Sequence, residues 1–147
     1  MNRSDVEYIV VHCTYSPASM HVDAAVVDRW HREKGWRGIG YHKVILRDGT
    51  IEDGRPLDQQ GAHVRGVNNR SVGVALAGGM NEERDGPEIN FTDEQYDALR
   101  DLLDELTTKN FPKAEVKSHT DFDKGKTCPN FDAGTWYETG EIVSTIK

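Results

Sequence analysis

Tyr8-Ile9-Val10-Val11-His12-Cys13 is the stretch that decides the fold. It is apolar, β-branched at three successive positions and too short for a helix, so it reads as a buried strand. Ser16-Pro17 breaks it. A helix is expected from about Asp23 to Lys34, with Val26, Val27 and Trp30 facing inward and Gly35 as its stop. Tyr41 to Leu46 alternates as a strand, Arg47-Asp48-Gly49-Thr50 is a turn, and Ile51-Glu52 begins the returning strand. Val72 to Ala77 is another apolar strand, ended by Gly78-Gly79. Thr92 and Gln95 form a capping-box signature. Behind it, Tyr96, Leu99, Leu103 and Leu106 recur at helical spacing. Lys113 to Lys117 reads as a strand leading to His119, and Asp132 to Glu138 as a last helix packing Trp136. The order implies an α/β fold: a mixed central sheet flanked by helices, one domain over residues 1–147. Open α/β sheets commonly place their sites at strand ends.

With 147 residues, 36% hydrophobic and 29% charged, the chain can bury a core without staples. A net charge of −7 and a pI of about 5.3 argue against nucleic acid or an anionic membrane as partner. The chain reads as a monomer. Its N-terminal apolar run is far shorter than a signal-peptide core or a membrane span, so neither is expected. Two cysteines make no disulfide framework, and a reducing cytoplasm is the expected site of synthesis.

The chemistry concentrates in Ser118-His119-Thr120-Asp121-Phe122-Asp123-Lys124-Gly125-Lys126-Thr127-Cys128-Pro129. Catalytic zinc takes three protein ligands and keeps a position for water, and two His with one Cys is a known set. His12 and His119, each at a strand end, and Cys128 supply it; the thiolate favours Zn2+ over magnesium or calcium. Against this, His12 alone reads as a core histidine and Cys128 alone as a small buried hydrophobe. Cys13 should face away from His12, into the core, and Asp121 is a weaker oxygen donor. Lys126 could neutralise an oxyanion and Tyr41 could hold an attacking water; the bland alternatives are a solvated lysine and a packing tyrosine. His31 reads as a solvated surface histidine and His42 as facing away from Tyr41. His63, in a glycine-bounded loop, is either a substrate contact or an ordinary loop residue.

Val10-Val11-His12-Cys13, Trp30-His31-Arg32-Glu33-Lys34-Gly35-Trp36, Gly40-Tyr41-His42, Arg47-Asp48-Gly49-Thr50, Asn69-Arg70-Ser71-Val72-Gly73-Val74 and Lys126-Thr127-Cys128-Pro129-Asn130-Phe131-Asp132 together resemble the zinc-dependent N-acetylmuramoyl-L-alanine amidases. Peptidoglycan recognition proteins are more distant relatives. The likeness runs from about Glu7 to Trp136 in unbroken order. It implies hydrolysis of the amide between the lactyl group of N-acetylmuramic acid and L-alanine in peptidoglycan. It places the family's zinc ligands on His12, His119 and Cys128 and its catalytic helpers on Tyr41 and Lys126. The implied biology is a phage-type endolysin, made in the host cytoplasm and reaching the wall through holin-type release. The alternatives are a module that binds muropeptide or an RNA polymerase, and a cytoplasmic muropeptide-recycling amidase. Within the family an N-terminal segment serves polymerase inhibition; only eleven residues precede His12 here, which speaks against that partner. A purely structural zinc site would need a fourth protein ligand, and none stands out.

Overall fold

In the computed structural model, which describes residues 5–147, the chain forms β1 (Tyr8–Cys13), β2 (Ser16–Pro17), α1 (Ala24–Glu33), β3 (Lys43–Ile45), β4 (Ile51–Asp53), β5 (Ser71–Leu76), β6 (Gly79–Met80), α2 (Asp93–Glu105), β7 (Glu115–Ser118) and α3 (Ala133–Thr139). The main sheet has the order β4-β3-β5-β1-β7. Only the β3–β4 hairpin is antiparallel; β5 runs parallel to β3 and β1, and β1 parallel to β7. A central strand of a parallel sheet is covered on both faces. That is why Tyr8–Cys13 is a continuous apolar run rather than an alternating one, with Ile9, Val10 and Val11 fully buried.

Register assigns the faces. Ile9 and Val11 share a core with Val72, Val74 and Leu76 of β5, Leu99 and Leu103 of α2 and Trp136 of α3. Val10, one step along, meets Val64 and Val67 on the opposite face. His12 lies level with Ala75, which lies level with Val44. Register partners present the same face, and Val44 packs with Val27 of α1. His12 is thereby aimed at the α1 side, at the carboxyl edge of the sheet.

The helix signals act as expected. Asp23 caps α1 by accepting from the Val26 N–H at 2.9 Å. Thr92 and Gln95 form the reciprocal capping box of α2. Asp132 caps α3, and Gly140, at φ +81°, ends it. Three strand readings change. The expected strand Tyr41–Leu46 shrinks to Lys43–Ile45, because the preceding backbone is drawn into loop contacts instead. Ala62 donates to Gly40 at 3.0 Å and Arg55 to Tyr41 at 2.9 Å. Ser16-Pro17, expected only as a break, also pairs with Gly79–Met80 in a second sheet of two strands. The strand expected over Lys113–Lys117 lies at Glu115–Ser118, which brings its end directly to His119.

Candidate metal centre and catalytic pocket

Two parallel strands create the cluster. Val11 is level with Ser118, so the next residue of each chain segment, His12 and His119, emerges at the same height. Their Nδ1 atoms stand 3.1 Å apart. Cys128 arrives from the loop between β7 and α3. Asn130 anchors that loop, donating from Nδ2 to the carbonyls of Gly79 at 2.8 Å and Glu88 at 3.1 Å. Thr120 N–H also donates to the Cys128 carbonyl at 3.1 Å. One ligand atom each from His12, His119 and Cys128 lie within 4.8 Å of one another, a group able to hold a metal ion. Donors around an ion at zinc-like bond lengths stand about 3.3–3.7 Å apart, so small side-chain adjustments suffice.

The donor chemistry fits a cation. Burial holds the imidazoles of His12 and His119 below their ordinary pKa, which leaves lone pairs free near neutral pH. Burial pushes the Cys128 thiol well up, with the neighbouring Cys13 adding to it, so a thiolate there needs a positive partner. The Cys13 N–H already points at Cys128 Sγ from 2.7 Å. The Cys13 side chain itself is 3% exposed and stands outside the donor group, as expected of a core residue. Asp121 is also outside it; its carboxylate accepts the Ser118 N–H at 2.8 Å.

His119 and Cys128 line a cavity of about 570 Å³, to which Tyr41, His63 and Lys126 also contribute, while His12 itself is buried. The Tyr41 ring centroid is 5.0 Å from that of His12, and burial raises the phenol pKa, so it stays protonated. Lys126 is exposed and makes no ion pair among the described residues. His63 also reaches the cluster, with Nδ1 2.8 Å from His12 Nε2.

His31 corrects the sequence reading. It is 6% exposed rather than solvated, because it falls four residues after buried Val27 and hence on the same face of α1. That spacing was the available signal. His31 Nδ1 accepts the Gly40 N–H at 2.8 Å, so the ring carries its proton on Nε2. Burial and then the nearby Lys34 and Arg55 charges lower its pKa to about 4. It lines the same cavity as a neutral donor, together with Trp36, which is 40% exposed and 4.6 Å away ring to ring. His42 does face away, accepting from Gly73 N–H at 3.0 Å through Nδ1.

The family model for N-acetylmuramoyl-L-alanine amidases matches residues 2–131. The endolysin of Enterobacteria phage K11 is 43% identical over 145 residues, covering 99% of this chain and 94% of that protein. The N-acetylmuramoyl-L-alanine amidase LysC from Clostridium intestinale superposes with a TM-score of 0.72 at 35% identity, over 86% of this chain and 78% of that one. Drosophila PGRP-LB shares the fold, with a TM-score of 0.76 at 24% identity, over 99% of this chain and 87% of that one. By the extent of these matches and the order of its motifs, the chain belongs to the N-acetylmuramoyl-L-alanine amidase family.

Proposed function

We propose that this protein is a phage endolysin that hydrolyses the amide between N-acetylmuramoyl groups and L-alanine in peptidoglycan, with zinc held by His12, His119 and Cys128. The observation that carries this reading is the convergence of three donors, distant along the chain, two of which line a cavity shared with a tyrosine and with a lysine that makes no ion pair among the described residues. Sulfur and imidazole donors select zinc among common divalent ions. When bound, zinc supplies a Lewis acid and makes water nucleophilic near neutral pH.

The side chains divide the remaining work. Tyr41, kept protonated by burial, holds the attacking water by a hydrogen bond. Lys126 neutralises the developing oxyanion, a contribution typically worth roughly 3–4 kcal/mol, and assists the leaving amine. The opposite wall receives the substrate. His31 Nε2–H donates to an acceptor oxygen, and Trp36 offers an apolar face. Lys34, whose Nζ sits 5.3 Å from the Trp36 ring centroid, meets a carboxylate of the stem peptide. From the likeness to a phage endolysin we infer synthesis in the host cytoplasm and passage to the wall through a holin-type lesion; no helix among the described residues is long and apolar enough to cross a membrane.

Incubating the purified protein with sacculi tests the reading. New L-alanine amino termini should appear, vanish on metal removal and return with zinc. Protein shown to be free of metal yet fully active would remove zinc from the reaction, and release of sugar reducing ends without alanine termini would replace the amidase.

A further inference from the structure

The imidazole of His12 has one edge at the donor cluster and the other buried against a second ring. Nδ1 faces His119, whereas Nε2 lies 2.8 Å from His63 Nδ1. A neutral imidazole carries one proton. To present a lone pair from Nδ1, His12 must hold that proton on Nε2, where it needs an acceptor. His63 Nδ1 is that acceptor. This in turn places the His63 proton on Nε2, which stands 3.2 Å from Ser71 Oγ. Both ring nitrogens of His63 are thus engaged inward.

The surroundings hold this ring in place. A Cβ at Gly73 would fall 2.6 Å from His63 Cγ, and one at Gly61 would fall 2.8 Å from its Cδ2. His63 therefore occupies a slot that exists because both positions are glycine. Asn68 Oδ1 clamps the loop by accepting from the backbone N–H groups of His63 and Val64 at 2.9 and 2.8 Å.

We propose that His63 is a positioning residue for the metal rather than a substrate contact: it fixes the tautomer and ring orientation of His12, with Ser71 fixing His63 in turn. The inference rests on the metal reading above, since it assigns His12 Nδ1 to the ion. Partners of this kind on a ligating histidine commonly change metal affinity 10–100-fold.

The test compares His63→Phe, which removes the acceptor, with His63→Asn, whose Oδ1 can stand where Nδ1 stood. Zinc affinity is measured by competition with a chromophoric chelator, and the thiolate-to-cobalt absorption of the cobalt-loaded protein reports geometry at Cys128. His63→Phe should weaken zinc binding by about 10–100-fold, shift the cobalt spectrum and leave KM unchanged at saturating zinc. His63→Asn should restore most of the affinity. Ser71→Ala, a smaller change that tests the outer link if His63→Phe fails to fold, should weaken zinc binding in the same direction but by less. Unaltered zinc affinity in these variants overturns the proposal, and a raised KM beside it assigns His63 to substrate. Wild-type protein that binds no zinc, or yields no alanine termini, would instead defeat the metal reading on which this one stands.

Discussion

In the proposed mechanism Lys126 and Trp36 act by different physics, and their substitutions should separate. Lys126→Ala removes a charge that matters once negative charge develops. Its kcat should fall by about 10²–10³ with zinc content unchanged, measured on muropeptide with parallel metal analysis. Normal turnover in the folded variant would take Lys126 out of the mechanism. Trp36, as the proposed apolar wall of the pocket, would meet the ground state and the transition state alike, so Trp36→Ala should raise KM about tenfold, equivalent to ~1.4 kcal/mol, and leave kcat near wild type. His31 adds a pH signature. Its folded-state pKa of about 4 lies below the ordinary 6.5, so the unfolded chain binds the proton more readily across that interval. Its contribution to stability is complete above pH 6.5 and is lost as the pH falls towards 4. Urea midpoints of His31→Asn, which keeps an acceptor for Gly40, should decline less steeply over that range than those of the wild type. The convergence of His12, His119 and Cys128 was legible in the sequence because strand ends and a Lys-Thr-Cys-Pro loop mark these residues. His31 was not, since only its spacing from Val27 marks it as facing the core.

The strands supply the geometry that the donors need. β1 and β7 are parallel and in register up to Val11 and Ser118, so the histidines that follow these two residues meet without any special loop. Ser118, the last residue of β7, ties this edge to the Cys128 loop. Its Oγ donates to the Phe131 carbonyl at 3.2 Å and accepts the Ala133 N–H at 2.8 Å, both buried. Ser118→Ala leaves these groups unpaired and should cost about 1–3 kcal/mol, read by urea unfolding, with weaker zinc binding as the loop loosens. Thr92→Ala removes the α2 cap and a 2.6 Å hydrogen bond to the Arg47 carbonyl, far from the pocket. It should cost about 1–2 kcal/mol with kcat per folded molecule unchanged. Helices were readable nearly to the residue because caps and glycine stops are local. Strand ends were less so: Tyr41 and His42 have strand composition, and the His42 N–H still donates to Gly73 of β5, but the carbonyls of Tyr41 and His42 accept from Arg55 and Gly54 in a loop. No local pattern marks the two-residue pairing of Ser16–Pro17 with Gly79–Met80.

The charge of −7 distinguishes this protein from a lytic enzyme that finds an anionic wall by attraction. Between charges of like sign, added salt screens repulsion, with a Debye length of about 10 Å at 0.1 M. Activity on sacculi should therefore hold or rise from low salt to physiological ionic strength, whereas attraction through a hidden basic face would make it fall. The central proposal is that the donors at the carboxyl edge of the sheet hold zinc. X-ray absorption at the zinc edge of the loaded protein examines that most directly. The spectrum should fit two nitrogen neighbours at about 2.0–2.1 Å, one sulfur at about 2.3 Å and a single oxygen from solvent; a shell without sulfur, or one closed by four protein donors, would contradict it.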